Sequence, residues 1–141
     1  AFDIDIIHLP FNILDQRLLA GGELRRLKRR GVEIHARSTF LQGVLLSDPE
    51  DLDERFVEFR GHLDNLRSIL HAHDLSPLSG ALACSMQCLE IDTVLVGVTG
   101  MAEMNEILAA TARLPANKID FSFCAVTDPR LLHPSLWDSK A

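Results

Sequence analysis

Several groupings along the chain carry residue types that can do chemistry. His8 follows Asp3 and Asp5 on an alternating segment, a set that suggests acid–base transfer. Alternation puts both aspartates on one face near the start of that segment, away from its carboxyl end, so they are set aside. His8 itself reads either as a ligand-binding residue or as a hydrogen-bonded core histidine. Arg37 and Ser38 close a second alternating segment. A surface ion pair is the plain alternative for Arg37, and Ser38 has no obvious base or oxyanion partner for nucleophilic work. Gly97-Val98-Thr99-Gly100 is a strand-to-helix turn of the kind that admits a phosphate, although such a turn needs glycine in any case. His62, His71 and His73 gather near one helix end without the carboxylate or cysteine spacing of a zinc motif. Cys84 and Cys88 lie four apart on a predicted helix with no further Cys or His to complete a ligand set, so they read, like Cys124, as small core residues.

The elements that must position these groups follow from periodicity. Phe2 to Leu9 is rich in β-formers and is expected to stop at Pro10. Asp15 to Arg30 reads as a turn and then a helix, interrupted at Gly21-Gly22 and ended by Gly31 at C′. The basic run Arg25 to Arg30 is its last turn, where cations complement the helix dipole. Val32 to Arg37 alternates as a second strand, and Ser38 to Glu50 is a loop. Leu52, Phe56, Phe59, Leu63, Leu66 and Leu70 are spaced as one amphipathic helix. Ser76-Pro77 caps another, with Leu78, Leu82, Met86 and Leu89 as its apolar positions. Thr93 to Val98 is expected to be a third strand, buried on both faces. A last helix carries Met101, Met104, Ile107 and Leu108, and the tail has an alternating patch at Ile119, Phe121 and Phe123.

Strands alternating with helices predict an α/β fold with about three parallel strands and covering helices. Residues 1–114 hold these elements and residues 115–141 form a tail, all within one domain. Three strands do not close a barrel. The chain opens directly on strand-like residues at Phe2, which reads as a piece of something larger. Apolar residues make up 47% and charged residues 24%, ordinary for a globular protein. The formal net charge of −6 argues against nucleic acid or an anionic membrane as partner. No apolar run reaches the length of a membrane span, and three cysteines fit a cytoplasmic setting.

Three segments in order resemble a known family. Ile6-Ile7-His8-Leu9-Pro10-Phe11-Asn12 is similar to the sixth barrel strand of bacterial aldo/keto reductases. Gly31 to Gly43 resembles the seventh strand and its loop, and Asp92 to Thr99 with Glu103 and Glu106 the eighth strand and its helix. The resemblance implies the carboxy-terminal portion of a (βα)8 barrel and NAD(P)H-dependent reduction of aldehydes or ketones. It places His8 where a Gln binds the nicotinamide carboxamide, and Arg37 where an aromatic stacks on the ring. It sets Ser38, Phe40 and Gln42 along the pyrophosphate, and Gly97, Val98 and Thr99 near the adenosine ribose with Glu103 and Glu106 beside them. Glu103 stands where NADP-preferring members place a cation, which implies NADH use or dual use. Loops after strands seven and eight are where such barrels often hold phosphate. The family's proton donor is a tyrosine, and this chain has none. Its companion Asp, Lys and His belong to earlier strands, so the chain is expected to supply cofactor contacts without catalytic residues or metal, and to need a missing amino-terminal half or a second copy. The alternatives are a non-catalytic interaction or subunit-like module of the same fold, and a different phosphate-binding barrel.

Overall fold

The computed structural model describes residues 3–137; Phe2, assigned above to the first strand, lies outside them. The elements in chain order are β1 (Ile6–Pro10), α1 (Arg17–Ala20), α2 (Glu23–Arg29), β2 (Glu33–Arg37), α3 (Arg60–Ala72), α4 (Pro77–Met86), β3 (Thr93–Val94), α5 (Met101–Thr111) and α6 (Pro129–Leu132), joined by short 3₁₀ turns. The three strands form one parallel sheet in the order β1-β2-β3, with Ile6 opposite Glu33, His8 opposite His35, and Ala36 opposite Val94. Each consecutive pair is joined through helices, as parallel pairing requires.

Pro10 is the last residue of β1 and does not end it early. The Phe11 N–H donates to Arg37 O, so alternation turns the nitrogen of Pro10 to the unpaired edge, where no ladder bond is lost. Helix α2 ends as its sequence predicts. Gly31 adopts φ +78° at C′, its N–H donates to Lys28 O, and the Val32 N–H reaches Leu27 O. This Schellman pairing satisfies the last carbonyls and starts β2.

The sheet is covered on one side only. Leu9, Ile34 and Ala36 are buried and join a core with Leu24, Phe59, Leu63, Leu66, Leu70 and Ala83. The other face, with Ile6, His8, Glu33, His35 and Arg37, is open. The predicted amphipathic stripe is the core face of α3 and of the 3₁₀ turn before it, with Phe56, Phe59, Leu63, Leu66 and Leu70 all buried. At the start of α4 the Ser76 hydroxyl accepts from the Ser79 N–H, and Pro77 occupies N1.

Two expectations are corrected. The stripe assigned to α4 is not its buried face: Met86 and Leu89 are exposed, while Gly80 to Ser85 are buried without a break. The helix is wedged on several sides, and a Cβ at Gly80 would meet Leu70 Cδ2 at 2.3 Å. β3 is two residues long rather than six, and none of Thr93 to Val98 is buried. Its ladder ends at the bond from Leu95 N to Ala36 O. The alternating patch Ile119 to Phe123 leads into a short 3₁₀ turn at Ser122–Cys124. Phe121 is buried and its carbonyl accepts from the Gln16 side chain, while Phe123 is exposed. Helix α5 has no buried residue, and Met101, Met104 and Leu108 face outward. Among the described residues no helix is long and apolar enough to cross a membrane.

Candidate functional site

The loop leaving β2 is held in an unusual conformation. Ser38, Leu41 and Gln42 have φ of 63°, 47° and 54°, and Gly43 has 87°. A left-handed residue with a side chain costs about 1–2 kcal/mol, so three within five positions are held by their surroundings. Asn12 supplies one restraint. It is buried, accepts with Oδ1 from the N–H groups of Leu14 and Asp15, and donates from Nδ2 to Ser38 O at 3.1 Å. Leu41 supplies another, with its side chain sunk in the core. Thr39 is buried as well, and its Oγ1 has no partner among the described residues.

The loop leaving β3 runs through Gly97 to Gly100 and starts α5 at Met101. Gly100 is extended at the N-cap and has no side chain to offer. Glu103 ties down the residue before the cap: its Oε2 accepts from the Thr99 N–H at 2.7 Å.

The two loops face each other across one cleft of about 930 Å³ at the carboxyl ends of β2 and β3. Of the residues singled out from sequence, Arg37, Ser38, Phe40, Gln42, Gly97, Thr99, Glu103 and Glu106 line it. Val98 does not, and neither does His8. His8 stands on the open sheet face, paired with His35. Arg37 is exposed and touches the Ser38 hydroxyl at 3.4 Å; it is the one cation lining the cleft among the described residues, against the carboxylates of Glu103 and Glu106. The cleft thus offers left-handed backbone, hydroxyls, one guanidinium and the amino-terminal end of an 11-residue helix. That donor set suits a polar, phosphate-bearing ligand, and the two carboxylates oppose crowding of negative charge at the α5 end.

Residues that sequence reasoning missed are Asn12, Thr39, Leu46, Leu95, Ile107 and the α4 start at Ser76-Pro77-Leu78. The alternation of β2 places His35 and Glu33 on the same face as Arg37, a signal that was available. Thr39 and the α4 start had none, because they reach the cleft only through packing. The three thiols are buried and free. Burial pushes all three up, Cys124 to about 11, which keeps them from acting as nucleophiles. Among the described residues no cluster of three or more His, Cys, Asp or Glu side chains has the geometry to hold a metal ion. No family model matches the chain, and no curated protein matches it.

Proposed function

We propose that this chain binds NADH or NADPH and serves as the cofactor-holding part of a carbonyl reductase of the aldo/keto reductase kind, with β1, β2 and β3 in the places of barrel strands six, seven and eight. The observation that carries the reading is the convergence of the β2 and β3 loops on one cleft lined by Ser38, Phe40, Gln42, Gly97 and Thr99. The strand order supports it, since neighbouring barrel strands are consecutive and parallel. A bound nicotinamide would supply a hydride to an aldehyde or ketone. The chain's own residues hold and orient it: Arg37 presents a planar guanidinium, the Ser38 to Gly43 backbone and the start of α5 offer donors to phosphate, and Glu103 and Glu106 stand toward the ribose. With no tyrosine in the chain, proton donation falls to strands from elsewhere in the assembly.

Calorimetric titration with NADH, NADPH and ADP-ribose tests this reading. Saturable binding of all three is expected, and no binding of any would overturn it. One observation favours a second reading, an interaction module. The open sheet face and the exposed Met101, Met104 and Leu108 of α5 form surfaces that a partner would cover. A stable complex without nucleotide affinity would select it.

A further inference from the structure

Asn12 follows β1, is buried, and directs its side-chain amide at backbone groups. Oδ1 accepts from the Leu14 N–H at 3.0 Å and the Asp15 N–H at 2.9 Å, and Nδ2 donates to Ser38 O at 3.1 Å. A backbone N–H only donates and a carbonyl only accepts, so these partners fix which way the amide is turned. The turn that carries Asn12 is anchored in its own right. Gln16 Nε2 donates to Ile13 O and to Phe121 O, each at 2.8 Å. The Val126 N–H donates to Leu14 O at 2.8 Å, and Arg17 holds the buried Asp15 carboxylate through two bonds. Asn12 therefore reaches Ser38 from a fixed base.

Ser38 O also accepts from the Leu41 N–H at 2.9 Å, so both of its lone pairs are engaged and the carbonyl is held inward. The Ser38 carbonyl and the Thr39 N–H belong to one planar peptide unit and point in opposite directions. The Thr39 N–H is thereby turned away from Asn12, and it has no acceptor among the described residues. Thr39 lines the cleft. A backbone donor left over at a cleft wall is costly unless something in the cleft accepts from it. We propose that Asn12 is a positioning residue for the cleft: by holding the Ser38 carbonyl inward, it aims the Thr39 N–H outward as a hydrogen-bond donor to the bound ligand. Without the Nδ2 bond the peptide is free to turn over, and the φ of 63° at Ser38 relaxes toward the extended region that serine prefers. The donor's use by a ligand rests on the function proposed above; the hold of Asn12 on the loop does not.

The test uses the full chain and two variants. Asn12→Asp and Asn12→Ser each keep an oxygen for the turn and lose the amide donor, and only the first adds charge. A circular-dichroism spectrum matching wild type shows that they stay folded, and the wild-type readings stand without them. In the first arm, with no ligand, the three-bond coupling between the amide and α protons of Ser38 reads its φ. A left-handed value is expected in wild type, moving toward an extended one in both variants. An extended value in wild type, or no change in either variant, overturns the hold on the loop. In the second arm, ADP-ribose is titrated. The Thr39 amide proton is expected to move downfield in wild type, and both variants to bind about tenfold more weakly while keeping the shifts of residues 97–106. Weakening in Asn12→Asp alone assigns the effect to charge and overturns the positioning role. Unchanged affinity in both variants, or a Thr39 amide unmoved at saturation, overturns the donor and leaves dinucleotide binding intact. No binding by wild type overturns the dinucleotide reading and the donor together, while the couplings still decide whether Asn12 holds the loop.

Discussion

Glu103 has two jobs that its place in the sequence separates poorly. Its carboxylate accepts from the Thr99 N–H just before α5, and it also lines the cleft where a 2′-phosphate would add negative charge. Glu103→Gln keeps an acceptor for the Thr99 N–H and removes the charge. The expected result is a shift of several-fold toward NADPH over NADH, with little change in melting temperature, read by parallel titrations. NADPH binding that is already the tighter in wild type and unmoved by the substitution would count against this role. The left-handed loop makes a second prediction. Gln42 holds φ 54° at a cost that glycine would not carry. Gln42→Gly is expected to raise stability by about 0.5–1 kcal/mol in urea unfolding while weakening nucleotide binding. Unchanged or lower stability would show that the loop is not strained. At this scale the family resemblance pointed to both loops that border the cleft, among them Arg37, Ser38, Gly97 and Thr99. It could not name Asn12 or Thr39, whose roles depend on a loop conformation that no local pattern announces.

Among the elements, those with strong local punctuation were legible and those defined by tertiary packing were not. Gly31 ends α2 and Ser76-Pro77 begins α4 because each satisfies backbone groups locally. The α4 stripe was misread because that helix is buried on several sides, so apolar spacing no longer marks a single face. β3 was overestimated for a related reason: Val96 to Val98 are apolar without a strand beside them to pair with. What fixes β3 is Asp92, whose carboxylate accepts from the Ile34 N–H and from Lys28, each at 2.7 Å. The Ile34 N–H, and after it Lys28, hold this carboxyl below its usual range. A depressed folded-state pKa contributes stability that is fully present above the unfolded pKa and is lost as pH falls through the folded one. Asp92→Asn is therefore expected to lower the melting temperature at neutral pH, and its gap to wild type should close on acidification below about pH 4. A gap that stays constant with pH would place the effect in packing rather than charge.

For the whole molecule, alternating strands and helices predicted a parallel α/β fold, and the three-stranded sheet is that fold. The face left bare was foreseen only in outline. Ile6 is on it, while Val94 pairs with Ala36 and so points to the helix side. A bare parallel face, two unpaired strand edges and the exposed methionines of α5 favour association. Light scattering is expected to find the chain self-associated at micromolar concentration, and a strict monomer would contradict this. The central claim is that the loops after β2 and β3 together hold a nicotinamide dinucleotide. Its most direct test is amide NMR of the chain during titration with NADH. The account predicts saturable shifts gathered on residues 37–43 and 97–106, with ADP-ribose reproducing those of the second group. Shifts scattered over the surface, or gathered elsewhere, would contradict it.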